Sequence, residues 1–525
     1  VSKIRTFAVN AGVLTLTSLS LGAAGVVYNA WLTRNLGSAG MGLFSLMMAV
    51  YRLAVTFASS GSGLAATRIV AEETAVGHGG GAAAAMKKTI LYALLFGLGG
   101  MALLYQFSGA AAGGWVGDLR AEEPFRILSL SLPFVGVSAA FTGYFTAVMR
   151  VTPAAAAQVF EQLSQMAFTV AVFAVLKPDT LAEGCVLVAA GSTISEAAAF
   201  LLSWLLYRAD RKRHSLSGGI LPRRFEMWRR VVGIALPVGA SAVLRSALST
   251  VKHLLVPASL QKFGLTEEAA LSSYGIVGGM VIPVLISPCA FLLGFSNLLV
   301  PEIARYKELG RKNSIFFVIR YTFRLTLIFS VAIAALLTVF SKELAVLLYG
   351  SEESAAYIRA LGPLVIVMYL DSSVDGVLKG LGEQVAVVRI NVLDTAICVV
   401  LVWLLVPLFG LRGYMMMIVI SEIFNMILSA GRLVYVTGFR ADMPHWAVVP
   451  FLGAFGAVFT AKYGAVLLGF DVTKAGGILL ACAVFLLLYY AILRLTGCLT
   501  RKDLALFAEV FRKQKKAPPH GRVFL

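Results

Sequence analysis

Residues 28–73, YNAWLTRNLGSAGMGLFSLMMAVYRLAVTFASSGSGLAATRIVAEE, decide how the chain is read. The stretch starts at the end of one long apolar run and passes through Arg34-Asn35-Leu36-Gly37-Ser38-Ala39-Gly40. It then enters a second apolar run with a single arginine, Arg52, at its middle. An arginine at bilayer depth costs roughly 2.5–3.5 kcal/mol on insertion scales, so it faces a bundle interior or a wet cavity rather than lipid. A glycine-rich turn between two spans, followed by a costly cation, is the pattern expected at a polar path through a membrane.

Composition sets the class. The 525 residues are 59% hydrophobic and 14% charged, whereas soluble domains carry about 25% charged residues. Apolar runs repeatedly exceed the roughly 18–20 residues a spanning helix needs. The expected fold is an all-α polytopic membrane protein of about fourteen helices. The spans fall near 7–32, 41–66, 89–108, 125–148, 155–176, 184–207, 231–256, 272–299, 315–340, 358–378, 386–408, 413–436, 446–469 and 476–497.

The net charge of +18 suggests nucleic acid until its distribution is considered. With the N-terminus inside, most Lys and Arg fall on cytoplasmic segments. The densest group is Arg208, Arg211, Lys212, Arg213, Arg223, Arg224, Arg229 and Arg230, and the tail adds Arg501, Lys502, Arg512, Lys513, Lys515 and Lys516. That bias places both termini on the cytoplasmic side of the membrane and implies no nucleic-acid partner. Lys3 and Arg5 precede an apolar run that reads as an uncleaved first span. The basic tail, with Leu504, Phe507, Ala508 and Phe511 on one helical face of 499–516, reads as an interfacial helix on an anionic leaflet or a partner contact.

Internal order divides the chain. An N-terminal six-helix lobe (1–207), a basic linker (208–230), a C-terminal six-helix lobe (231–436), two further helices (437–498) and a cytoplasmic tail (499–525) are expected. The lobes read as pseudo-symmetric repeats. Ile194-Ser195-Glu196 in the sixth span is matched by Ile420-Ser421-Glu422 in the twelfth, and Leu132-Pro133-Phe134-Val135 by Gly362-Pro363-Leu364-Val365. Gly79-Gly80-Gly81 lacks the Gly-Lys-Ser/Thr of a phosphate loop and reads as a flexible connection. Cys185, Cys289, Cys398, Cys482 and Cys498 stand singly, without metal-ligand or disulfide spacing. No metal and no cofactor is expected.

Several motifs together resemble the stage V sporulation protein B family. They are Arg34-Asn35-Leu36-Gly37, Gly40-Met41-Gly42-Leu43-Phe44, the exit Arg68…Glu72-Glu73, and Gly117-Asp118-Leu119-Arg120. Gly143-Tyr144-Phe145, Met149-Arg150-Val151-Thr152-Pro153, Gln158-Val159-Phe160-Glu161-Gln162 and the stretch from Leu255-Val256-Pro257 to Pro301-Glu302 complete the likeness. It spans nearly the whole chain as many modest motifs. That family falls within the multidrug/oligosaccharidyl-lipid/polysaccharide flippase superfamily, with the lipid II flippase a relative. The resemblance implies two six-helix lobes around a central cavity and alternating access. It also implies transport of a polyprenyl-diphosphate-linked saccharide, for peptidoglycan or polysaccharide assembly, in sporulation or in vegetative cell-wall synthesis.

The residues are read independently of that likeness. Helical periodicity places Ser45, Arg52, Thr56 and Ser59 on one stripe of the second span, and Ser241, Arg245, Ser249 and Lys252 on one stripe of the seventh. Arg52 and Arg245, one from each lobe, with Lys252, form the expected substrate-binding cationic site. Guanidinium groups bind phosphate oxygens bidentately and stay charged. Two alternatives remain open: Arg52 pairs with Asp371 or Asp394 to hold helices together, and Lys252 snorkels to the interface. Asp394, Asp371 and Glu161 are the candidates for ion coupling or gating. Glu161, Gln158, Gln162 and Gln165 read either as a sugar-facing stripe or as an interhelical seam, and Asp375–Lys379 as an i,i+4 pair.

Three functions compete. A flippase for a polyprenyl-diphosphate-linked saccharide fits best, working as a monomer among membrane lipids and alongside cell-wall synthesis enzymes. A cation-coupled multidrug antiporter needs carboxylates that the first and seventh spans lack. A membrane-embedded glycosyltransferase needs positioned acid–base groups, and the outer loops, with carboxylates such as Asp118, Glu122, Glu123, Glu267 and Glu268, offer no histidine and little room for a folded active site. The chain therefore reads as a transporter and not an enzyme.

Overall fold

The computed structural model describes residues 2–76, 79–213, 224–439, 446, 448–472 and 474–498, and every regular element among them is helical. Within hydrocarbon no water can satisfy N–H and C=O groups, so spanning segments close their hydrogen bonds internally. The middle of the basic linker (214–223) and the tail (499–525), with the helix expected at 499–516, lie outside the described residues.

The deciding stretch folds with less of a turn than expected. Helix α1 (Ser2–Ser59) runs through residues 34–40 and breaks only at Gly37, with φ 71° and ψ 178°. That backbone region is essentially reserved for glycine, so one residue does the work of the predicted turn. Helix α2 (Ser62–Ala75) follows a second left-handed glycine, Gly61. Together they form one apolar helical stretch, Ser20–Ala75, that carries the first two predicted spans.

Gly79-Gly80-Gly81 is the first turn of α3 (Gly79–Gln106), not a flexible connection. A Cβ on Gly81 would come within 2.1 Å of Glu73 Oε2, so this glycine lets the helix start against a fixed carboxylate. Short α4 (Ser108–Ala110) and a π-helical turn (Ala111–Val116) lead to the fourth predicted span. That span consists of α5 (Glu122–Ser129) and α6 (Leu132–Ala147), bent by 49° at the break. Long helices α7 (Val151–Leu176), α8 (Leu181–Arg213) and α9 (Arg224–Lys262) come next.

The eighth predicted span is broken. It comprises α10 (Glu267–Tyr274), a π-helix (Gly275–Val281), α11 (Ile282–Ile286) and, past Ser287-Pro288, α12 (Cys289–Glu308). The chain continues through α13 (Lys312–Val339), α14 (Ser341–Tyr349), α15 (Ala355–Leu361), α16 (Val365–Gly380), α17 (Gln384–Phe409) and α18 (Leu411–Thr437). It closes with α19 (Val449–Leu467) and α20 (Ala475–Leu495). Among the described residues twelve helices are long and apolar enough to cross a membrane, thirteen if the bent pair is one span. The predicted fourteen differ because the helices on either side of Gly37 count as one stretch and the fourth span is a bent pair.

Two compact units emerge. One contains Ala23–Met280 and Thr395–Met417. Its core gathers Ile69, Met86, Phe141, Tyr144, Tyr207 and Val231. At one end of this core Arg230 grips Glu72 at 2.9 Å and Glu73 at 2.6 Å, while Arg150 and Tyr144 converge on Asp210.

The other unit contains Val1–Gly22, Val281–Asp394 and Ile418–Leu525. Here α19 and α20 pack on α13, with Ala457, Ala461 and Phe485 in one core with Val331 and Ala335. Tyr489 donates to the Ile328 carbonyl at 3.1 Å. An ion pair fastens α19: half-buried Lys462 Nζ lies 2.5 Å from Oε1 of the buried Glu343 and donates to the Val339 carbonyl at 2.8 Å. Breaking a buried pair by removing one partner costs about 3–5 kcal/mol, because the other charge is stranded. Lys462→Met is therefore expected to lower the melting temperature in detergent markedly, and Lys462→Met with Glu343→Leu to recover most of the loss. All five cysteines are free thiols, and all but Cys482 are buried.

Candidate functional site

The cationic residues lie on two packed helices, Arg52 on α1, and Arg245 and Lys252 on a stripe of α9 set well round from its contact with α1. Thr250 Oγ1 of α9 donates to the Ala49 carbonyl of α1 at 3.0 Å, and Thr56 Oγ1 of α1 donates to Ser246 Oγ of α9 at 3.3 Å. Residue number rises along α1 as it falls along α9, so the helices run antiparallel here. Arg52 sits between the two contact levels on the face of α1 that carries Ala49 and Thr56. Arg245 and Lys252 are seven residues apart, about 10 Å along α9 at the 1.5 Å helical rise. The level of Arg52 falls between theirs.

The sequence put Arg52 and Arg245 on different lobes, whereas their helices are neighbours within one compact unit. Arg52 and Arg245 are exposed and Lys252 is half-buried. Arg52 Nε donates to the Met48 carbonyl at 3.1 Å, and among the described residues none of the three cations takes a carboxylate partner. The alternative of a helix-holding ion pair for Arg52 finds no support there. His253, next to Lys252, bonds the buried Tyr274 hydroxyl at 2.9 Å and lies within electrostatic reach of Arg52 and Lys252. A lone histidine in an apolar run gave no sequence signal for this placement.

Glu161 lies on α7 in the same unit, half-buried. One turn on, Gln165 Nε2 donates to Ser192 Oγ of α8 at 2.6 Å, which makes this part of the polar stripe an interhelical seam. Glu161 and Glu196 both lie within electrostatic reach of the Tyr51 hydroxyl, which pairs with Ser131 Oγ at 2.6 Å.

Asp371 and Asp394 belong to a second cluster, inside the other unit. Asp371 on α16 is 8% exposed and accepts from Asn425 Nδ2 of α18 at 2.9 Å. Asp394 on α17 accepts from Ser421 Oγ of α18 at 2.7 Å. Asp375, one turn after Asp371, takes Lys379 Nζ at 3.7 Å and Asn391 Nδ2 at 3.4 Å. No hydrogen bond reaches Asp371 Oδ1, Asp375 Oδ1 or Asn425 Oδ1, all of them buried. Buried carboxylate and amide oxygens left in this way suit a proton or a hard cation. The sequence reading missed Asn425 and Asn391. The signal was present, since Ser421, Asn425 and Ser429 recur every four residues on one face of α18.

Known proteins resemble this chain in sequence and fold. Residues 7–262 match the family described as polysaccharide biosynthesis protein, and residues 263–405 match the MatE family. The chain is 24% identical over 421 residues to stage V sporulation protein B of Bacillus subtilis (strain 168), covering 77% of this chain and 79% of that protein. Sporulation protein YkvU of the same organism is 21% identical over 367 residues, covering 68% of this chain and 78% of that one. Among solved structures, the lipid II flippase MurJ in an inward closed conformation superposes with a TM-score of 0.64 at 13% identity, covering 92% of this chain and 98% of that one. An inward-facing multidrug resistance MATE family transporter of the MOP superfamily gives 0.65 at 14% identity, over 81% of this chain and all of that one. The structural likenesses establish the fold, and the two family matches tile residues 7–405 of a multi-pass membrane protein.

Proposed function

We propose that the protein is a flippase, moving a polyprenyl-diphosphate-linked saccharide across the cytoplasmic membrane by alternating access. The observation that carries the reading is the Arg52–Arg245–Lys252 constellation: three cations on adjacent membrane helices, with no carboxylate partner among the described residues. A cation held at depth without a counter-charge is stabilised by an anionic ligand, and a diphosphate offers oxygens matched to guanidinium forks. The similarity to stage V sporulation protein B supports a role in spore or cell-wall polymer assembly. The likeness to a lipid II flippase supports the class of cargo.

In this reading both termini are cytoplasmic, as the Lys and Arg bias requires, and the chain works as a monomer that hands its cargo to cell-wall synthesis enzymes without catalysing a reaction. Asp371, with Asp394 and the α18 amide and hydroxyl groups, supplies cation or proton coupling, and Glu161 a second titratable group. A multidrug antiporter is the competing reading, favoured by the MatE match over residues 263–405.

One experiment separates them. The purified full chain is placed in sealed vesicles with a fluorescent polyprenyl-diphosphate disaccharide in one leaflet, and its appearance in the other is followed by impermeant quenching. Translocation is expected, with Asp371→Asn removing any dependence on an imposed Na⁺ or proton gradient. Efflux of a cationic dye on that gradient, without lipid translocation, would establish the antiporter instead.

A further inference from the structure

The half of α1 that precedes the Gly37 break and the end of α7 border an open pocket away from Arg52. Its cavity is about 420 Å³ and is lined by Trp31, Asn35, Phe173, Lys177 and Asp179 among others. Every one of these residues belongs to the same compact unit. The floor is aromatic and fixed. Trp31 meets Phe173 edge-on at 5.1 Å between ring centroids and stacks against Tyr28 at 6.3 Å, and Tyr28 is tied to Thr169 Oγ1 at 3.0 Å.

The rim is polar. Asn35 Nδ2 donates to the Trp31 carbonyl at 2.7 Å, which holds its amide beside the indole. Lys177 caps α7 with a left-handed backbone, and the Asp179 N–H donates to Glu183 Oε2 at 3.0 Å, so the two rim charges are set by the chain's own turn.

We propose that this pocket is a saccharide subsite. Ligand pockets commonly run about 300–1,000 Å³, and this one sets fixed polar groups round an aromatic floor. A pyranose presents a face of C–H bonds that fits an indole and a rim of hydroxyls that takes amide, ammonium and carboxylate partners. Lys177 and Asp179 cancel in charge, so the pocket has no preference for a phosphate. That distinguishes it from the Arg52 seam, where charge is uncompensated. On the Lys and Arg bias, both the end of the first span and the end of the fifth face outward, so the pocket would meet a sugar after it has crossed. The assignment of that sugar to the transported lipid rests on the flippase reading; the binding chemistry does not.

The test uses the full chain in lipid nanodiscs and saturation-transfer NMR with two probes, cellobiose and di-N-acetylchitobiose. Transfer to the ring protons of at least one probe is expected. Trp31→Leu should weaken it roughly tenfold, the loss of one aromatic contact, and the surface variant Asn35→Ala severalfold, while Trp115→Leu, at an exposed tryptophan outside the pocket, changes nothing. Should Trp31→Leu not fold, Asn35→Ala and Lys177→Gln decide the matter alone. The proposal is overturned by no transfer from either probe, by equal transfer in the folded variants, or by phosphoethanolamine displacing the sugar, which would mark a lipid headgroup site. Vesicle translocation is measured in parallel. Sugar binding without translocation sinks the flippase reading and leaves the pocket standing, and translocation without sugar binding does the reverse.

Discussion

Arg52→Ala is expected to slow translocation of the lipid-linked saccharide roughly ten- to hundredfold, with the protein still inserted and folded. A hydrogen bond to a charged group is worth about 1.5–3 kcal/mol, and each 1.4 kcal/mol is about tenfold. Arg52 has no carboxylate partner among the described residues, so removing it strands no buried acid there and the loss falls on the ligand. Arg52→Lys should recover part of the rate, because it keeps the charge but loses the planar two-donor fork. Arg245→Ala should behave similarly, since it too is an exposed cation without a carboxylate partner among the described residues. The measurement is the initial quenching-protected rate in vesicles at matched protein density. A wild-type rate from the double Arg52→Ala, Arg245→Ala variant would remove both arginines from the transport path.

The second large effect is on folding. A Cβ on Gly275 would lie 2.0 Å from the Ser38 carbonyl oxygen and 2.6 Å from the Gly42 nitrogen, and a Cβ on Gly42 would lie 2.1 Å from the Leu271 carbonyl oxygen. These neighbours are backbone and cannot rotate away. The crossing is held on its other flank by Ser38 Oγ and Ser272 Oγ, 2.8 Å apart. Helices in membranes gain little from the hydrophobic effect against one another, and small residues that let backbones approach are what hold them. Gly275→Ala is expected to cost about 3 kcal/mol, the upper end for overpacking, read as a drop of several degrees in the detergent melting curve and a fall in yield. Gly233→Ala, where nothing lies within 4 Å of the added carbon, serves as the control and should leave both unchanged.

The parts of the structure legible in the sequence were those written in single residues. Apolar runs identified a membrane protein because lipid admits one backbone solution. Arg52, Arg245 and Asp371 stood out because a charge in such a run has few bland explanations. Pairings were less visible. The seam between α1 and α9 depends on Thr56, Ser246 and Thr250, ordinary polar residues whose partners lie far along the chain, and repeat order placed those helices in different lobes. Asn425 was overlooked for a related reason: an uncharged amide in a span reads as a helix seam until a carboxylate is found against it. The turn at residues 34–40 was read as seven residues long, whereas a single glycine, Gly37, separates the two helices.

The cysteine pattern has a practical consequence for the sidedness question. With every native thiol free and four of the five buried, a water-borne maleimide meets little reactive sulfur on the folded protein. The wild-type chain is thus close to chemically silent, and a single cysteine placed at an exposed position such as Lys177 or Arg208 would report which face of an intact cell it occupies. Cys185, Cys289, Cys398 and Cys498 need not be removed first, so the packing around them can stay as it is.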